Sequence, residues 1–193
     1  MDNSLFSQYS MPLFDQITPI LQDVFSDFSQ NSNIQATPQM ETLKLRHQYL
    51  NLILLKSEKL LLNYMIHYNP NNLMAITSLA FQRSLNEIDE KRVEQFVREF
   101  SNIMAGKLQL LFKSGNIHLE IGLPWVTLDI DRYFYESNKN VSQSLFRWDI
   151  RINKEILFLN TLEIQSSYKD FSYNPFKDIK GNNESEHSSF EQF

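Results

Sequence analysis

The chain contains no cysteine, and only four of its 193 residues are glycine. Without cysteine it has no disulfides and no thiolate metal sites, which is typical of a reducing compartment, so we expect a cytoplasmic protein. Residues 1–10 have neither a basic start nor an apolar stretch, and we therefore expect no signal peptide. No apolar run approaches the ~20 residues of a membrane-spanning helix, so we expect no membrane association.

An excess of positive charge is also missing. The chain has 18 Lys and Arg against 23 Asp and Glu, a net charge of −5, and no basic stripe. Nucleic acids and anionic membranes attract excess positive charge, so this composition argues against both as partners. Hydrophobic residues at 42% and charged residues at 21% are ordinary values for a globular protein of one domain, with or without a tail.

Residues that could bind a metal are scattered. Asp129 and Asp131 share one face of a predicted strand, but no second acidic cluster accompanies them, so we interpret them as a solvated strand face. The histidines have no mutual ligand spacing: they are His47, His67, His118 and His187. We therefore predict no metal site in this chain. A glycine-rich phosphate loop and a Gly-x-Ser-x-Gly elbow are absent from the sequence as well.

The first third of the chain predicts a helix followed by strands. Apolar residues recur with a helical period through 11–27, and Pro19 is expected to distort or restart that helix. The polar, proline-containing segment 29–39 is predicted to be a loop. From Thr42 to Ile66, apolar and polar residues alternate on both sides of the connection Lys-Ser-Glu-Lys, which predicts two or three antiparallel strands.

Two helices and a second group of strands are predicted next. A short helix is expected over 69–82 and a long one over 85–113. Ser84 and Glu87 have the spacing of a capping box, and Gly115 provides a stop. Alternating residues then predict strands over 117–121, 126–130, 146–152 and 156–164.

This order of elements predicts an α+β fold with helices packed on an antiparallel β-sheet. We assign residues 1–165 to that domain. From about Ser166 the sequence is rich in serine, asparagine and charge and has no apolar periodicity. Residues 166–193 are therefore predicted to form a flexible C-terminal tail.

The long helix has a narrow polar strip opposite its apolar stripe. Glu99 and Asn102 are neighbours on that strip, at positions i and i+3. Gly106 lies one turn further on. Since a glycine inside a helix costs ~1 kcal/mol relative to alanine, we expect a packing or docking reason for it. Gln95 completes the strip, and the apolar Ile103 and Leu110 flank it.

Residues 99–108, Glu-Phe-Ser-Asn-Ile-Met-Ala-Gly-Lys-Leu, are followed by Gly-Leu-Pro-Trp-Val at 122–126. Together they resemble the signature of the CheC/CheX/FliY response-regulator phosphatases: a Glu-x-x-Asn pair on an exposed helix, a glycine four residues later, and a proline at the next strand. The order of elements and the single pair most resemble CheX. The resemblance implies the CheC/CheX-like fold.

The resemblance also implies a function. The chain would be a protein phosphatase in chemotaxis signalling that hydrolyses the aspartyl phosphate of a phosphorylated CheY-like response regulator. Asn102 would orient the attacking water, and Glu99 would pair with the active-site lysine of the regulator. Gln95, Ile103 and Gly106 would contact that partner. No cofactor of its own is implied, because the Mg²⁺ is supplied by the regulator.

A homodimer is implied too, since CheX-like proteins pair. The predicted strand Phe146–Ile152 alternates cleanly and lacks proline, so we expect it to extend a sheet across a two-fold axis.

Two other functions remain open. Gln95 stands where the family usually has Asp or Ser, which favours a non-catalytic module that binds a response regulator or another signalling partner. The second alternative is a structural component of the flagellar switch, as FliY-type relatives are. In a catalyst, the side chains of Glu99 and Asn102 should both face solvent without partners.

Overall fold

A computed structural model describes residues 4–30, 33–39, 49–58, 60–128 and 142–166. Within these ranges the fold is α+β, with helices packed on an antiparallel β-sheet, and the predicted fold class is confirmed. No helix there is both long and apolar enough to cross a membrane. The predicted tail from residue 167 lies outside the described residues; Ser166 itself is the buried last residue of a strand, so the domain extends at least that far.

The helices are α1 (Ser4–Ser29), α2 (Pro70–Phe81) and α3 (Glu90–Ser114), with a 3₁₀ turn at Leu85–Glu87. The strands are β1 (Ile34–Pro38), β2 (Tyr49–Lys56), β3 (Leu60–Tyr68), β4 (Glu120–Ile121), β5 (Trp125–Leu128), β6 (Ser142–Ile152) and β7 (Glu155–Ser166). They form one seven-stranded sheet in the order β1-β6-β7-β3-β2-β4, with β5 also paired to β2.

Helix α1 is longer than predicted and runs through Pro19 without a break. Pro19 and Asp15 are both exposed, so the hydrogen bond that proline cannot make is lost on the solvent side, where water can satisfy the Asp15 carbonyl. The helix packs on the sheet through Phe14, whose ring lies edge-on to Trp148 at 5.0 Å, and the Trp148 indole donates to Thr18 Oγ1 at 2.9 Å. The prediction that α1 restarts at Pro19 is therefore wrong.

The loop predicted over 29–39 contains strand β1, so that prediction is corrected. Ile34 and Ala36 are buried, and the strand pairs with β6 from Ile34↔Ile152 to Pro38↔Trp148. Two apolar residues in a polar segment are too few to show the alternation that predicts a strand. The strand forms because its backbone pairs with β6, and the local sequence does not reveal that pairing. Pro38 is tolerated since β1 lies at the edge of the described sheet.

Strands β2 and β3 confirm the predicted antiparallel pair, with a register running from Tyr49↔Tyr68 to Lys56↔Leu61. The possible third strand, around Leu43 and Leu45, lies outside the described residues. Asp129 and Asp131 do as well.

The long predicted helix begins later than expected. Ser84 and Glu87 do form a capping box, but it caps the 3₁₀ turn, and its bonds from Ser84 lower the pKa of the Glu87 carboxyl. Helix α3 starts at Glu90, with Asp89 as its N-cap: Asp89 Oδ1 accepts from the Arg92 amide at 2.9 Å.

Strand β6 is not a free edge along its predicted pairing segment. It pairs with β7 along Ser142–Ile152 and with β1 along Trp148–Ile152. The prediction that Phe146–Ile152 extends the sheet into a second copy is therefore wrong, because β7 pairs with one side of this segment and β1 with most of the other. The homodimer itself stays a prediction.

Asn153 and Lys154 form the predicted tight turn into β7, with φ of 51° and 74°.

Candidate functional site

Helix α3 is fixed on the sheet by an apolar stripe and by one buried polar contact. Asn51 Nδ2 of β2 donates to Ser101 Oγ at 3.2 Å, and both residues are at most 1% exposed. Together with the buried apolar stripe, this bond orients the helix on the sheet, and the opposite face points to solvent. The buried stripe comprises Val93, Phe96, Val97, Phe100, Met104, Ala105, Leu108 and Phe112.

All five predicted site residues lie on that outward face. Gln95 and Asn102 are exposed, Glu99 is half-buried, and the Ile103 side chain is 39% exposed. Gly106 follows one turn after Asn102 and is half-buried. The structure thus brings the predicted residues together on one rigid element, as expected from their helical spacing.

The two central residues differ in their partners. Within the described part of the chain, the Asn102 side chain has no hydrogen-bond partner, so its amide is available to a visiting group. The Glu99 carboxylate is not unpaired, because Gln95 Nε2 donates to Glu99 Oε1 at 3.2 Å. Asn102 therefore meets the condition set for a catalyst, an exposed side chain without a partner, and Glu99 does not.

Nothing in the described part of the chain requires a glycine at position 106. A Cβ built on it meets no described atom within 4 Å, and its φ is not positive. Neither internal packing nor backbone conformation therefore requires it, and alanine would be the better helix former. The docking reason expected from the sequence stays a prediction.

The segment 119–124, which ends at the proline of the signature, borders the strip. Arg98 Nη1 donates to the Pro124 carbonyl at 3.3 Å, and Gln109 Nε2 donates to the Leu119 carbonyl at 2.6 Å. Residues 119–124 therefore run alongside α3, past Asn102. Arg98 is itself held by Glu94 at 2.8 Å.

This arrangement can present an uncharged amide, with a carboxylate one turn away, to a group on another molecule. A carboxamide both donates and accepts hydrogen bonds. Among the described residues, no three His, Asp or Glu side chains are grouped as metal ligands.

No family model matches the sequence, and no curated protein does. Solved structures match in fold. One is a chain of the CheX–CheY–BeF3–Mg²⁺ complex from Borrelia burgdorferi, with a TM-score of 0.60 and 13% identity over 82% of this chain and 97% of that one. The chain has the fold of the CheX and CheC-like chemotaxis proteins.

Two further structures agree. CheX from Vibrio vulnificus has a TM-score of 0.57 at 13% identity, covering 76% of this chain and 91% of its own. A CheC-like superfamily protein from Shewanella sp. PV-4 has a TM-score of 0.55 at 13% identity, covering 76% and 92%. The CheX-like fold expected from the signature residues is thereby confirmed.

Proposed function

We propose that the chain is a phosphatase that hydrolyses the aspartyl phosphate of a CheY-like response regulator in chemotaxis signalling. The observation that carries this proposal is the free, exposed Asn102 amide on the outward face of α3, one turn from Glu99, in a CheX-like fold. A solved chain of that fold comes from a complex with CheY, which supports a regulator of this type as the partner. We place the reaction in the cytoplasm.

Asn102 would hold the attacking water in line with the phosphorus–oxygen bond. Phosphoryl transfer is accelerated chiefly by positioning and by electrostatic stabilisation, so one well-placed group can be effective. An amide suits this task because it accepts one hydrogen of the water and brings no charge near the phosphoryl oxygens. The rigid attachment of α3 through Asn51 and Ser101 would keep that amide in place.

Glu99 would pair with a lysine at the active site of the regulator. A contact of this kind is charge-assisted and fixes the register of the complex. The existing bond from Gln95 is between an amide and a carboxylate at an exposed site, so exchange for an ammonium group is favourable. Gln95, Ile103 and Gly106 would lie under the partner. No metal of the chain's own is involved, since Mg²⁺ would belong to the regulator.

The test is phosphate release from phosphorylated regulators. Each CheY-type regulator from the same genome is phosphorylated with acetyl phosphate, freed of the donor, and followed with wild type, with Asn102→Ala and without addition. The proposal expects acceleration by wild type alone. Equal release with wild type and Asn102→Ala, from every regulator that binds, would reject catalysis.

One observation favours a second function, a non-catalytic module that binds a regulator or signalling partner. The Glu99 carboxylate already has a partner within its own chain, whereas a catalyst was expected to leave it free. Such a module would bind regulators without changing how long they stay phosphorylated. The same assay therefore separates the two functions.

A further inference from the structure

Leu123, in the connection between β4 and β5, has a side chain that is 90% exposed. Single exposed hydrophobic residues are common on protein surfaces, so exposure alone marks no site. Leu123 is of interest because it lies near Asn102.

The connection is held against α3 at two points, by Arg98 at the Pro124 carbonyl and by Gln109 at the Leu119 carbonyl. Asn102 lies one helical turn beyond Arg98, about 6 Å along the axis, on the same flank of the helix. Leu123, which directly precedes Pro124, therefore lies on the flank of α3 that carries Arg98 and Asn102.

The backbone on both sides of Leu123 is constrained. The Gly122 amide donates to the Leu54 carbonyl at 2.8 Å, and a Cβ at Gly122 would lie 3.3 Å from that oxygen. Pro124 has a fixed φ and restricts the residue before it to extended conformations. An apolar side chain on such a rigid segment loses little backbone entropy when a partner covers it.

Leu123 borders one flank of the polar strip, and two apolar residues border the other flank: Ile103 is 39% and Leu110 is 61% exposed. Glu99, Asn102 and Gly106 therefore lie between two apolar margins. A standard interface covers about 800 Å² on each partner, equivalent to a disc of roughly 16 Å radius. A disc of that size centred on Asn102 extends over the flank along which residues 119–124 run beside α3.

We propose that Leu123 is the apolar anchor through which the response regulator docks beside Asn102, and that it helps to determine which regulator binds. The inference rests on the proposed function, because it takes the regulator as the partner that Asn102 touches. The surface of the regulator that meets Leu123 is apolar and lies next to its phosphoacceptor aspartate. Regulators with a charged residue there are excluded, since burying that charge against leucine is unfavourable.

The test compares Leu123→Ser with Leu79→Ser. Leu79 is 53% exposed on α2 and lines a cavity with Ile152 and Asn153, next to the β6–β7 turn and far along the sheet from β4. Binding is measured for the CheY-type regulators of the same genome, each held with BeF3⁻ and Mg²⁺, and phosphate release is measured with the phosphorylated regulators.

Leu123→Ser is expected to raise the Kd by about 10- to 100-fold, the loss that follows from leaving one leucine unburied. The rate at saturating regulator and the melting temperature should stay unchanged, and Leu79→Ser should change neither affinity nor rate. An unchanged Kd in Leu123→Ser, with a rate that still depends on Asn102, would overturn the anchor and leave the phosphatase standing. If wild type binds and accelerates none of the regulators, the proposed function falls, and the anchor with it.

Discussion

Gln95 Nε2 donates a hydrogen bond to Glu99 Oε1 across one turn of α3, at 3.2 Å. An ionised aspartate at position 95 could only accept hydrogen bonds and would repel the carboxylate of Glu99. Glutamine instead holds that carboxylate without adding charge.

Replacement of Gln95 tests whether this bond matters. Gln95→Ala should leave the rate of phosphate release at saturating regulator unchanged, because Gln95 is not expected to touch the reacting atoms. Stability should fall by no more than about 0.5 kcal/mol, the usual contribution of an exposed helical pair. Chemical denaturation and the release assay provide both values. A large loss of rate with unchanged affinity would instead make Gln95 a positioning residue for Glu99.

Replacement of Asn102 tests the water-positioning role. Asn102→Ala should reduce the acceleration by at least on the order of 10²-fold, since even a ~1 Å displacement of a reacting group can cost that much. The melting temperature should not change, because the side chain is exposed and unbonded within the described chain. Asn102→Asp keeps the size but places a charge beside the phosphoryl group, and it should be about as damaging. A rate for Asn102→Asp close to wild type would contradict the role of the amide.

Replacement of Glu99 should show a different pattern. Glu99→Ala should weaken binding as well as slow the reaction, because the proposed lysine partner lies across the interface. The Kd of wild type should rise with salt more steeply than that of Glu99→Ala, since ionic screening acts only where the charge pair exists. Titrations at several salt concentrations measure this difference. Parallel salt dependences would show that Glu99 makes no ionic contact with the partner.

The outward face of α3 was predictable because a helix of 25 residues displays its period many times over. The β6–β7 hairpin was predictable for the same reason, from a long alternation and a turn. Strand β1 was not, because Ile34 and Ala36 are only two apolar residues and their burial depends on pairing with β6.

Charged residues are also buried on the far side of the sheet. Asp149 alternates with the buried residues Trp148 and Ile150 of β6, yet it is itself fully buried and pairs with Arg151 at 2.7 Å. In the same way, Glu163 is buried and accepts from Asn63 at 2.6 Å. Alternation tells which residues share a face, but it cannot tell whether the second face is covered.

The contact between Asn51 and Ser101 predicts a stability effect. Ser101→Ala removes the acceptor of a fully buried amide, which should cost about 1–3 kcal/mol for the unpaired group. Thermal unfolding measures it. Ser114→Ala is the matched control, because that hydroxyl bonds the Leu111 carbonyl at an exposed position on the same helix. A similar loss in both variants would mean that the buried bond contributes nothing special.

Gly106 offers a substitution that should separate stability from function. A methyl group there meets no atom within 4 Å, so Gly106→Ala should stabilise the protein by up to ~1 kcal/mol through helix propensity. If the regulator approaches this face closely, the same methyl group should raise the Kd, so the melting temperature and the Kd would rise together. Lys107→Ala is the control: this residue is exposed but lies to the side of the strip, and it should change neither value. Should Gly106→Ala stabilise the fold and bind as well as wild type, the partner does not press against this part of α3, and the docking reason for the glycine is wrong.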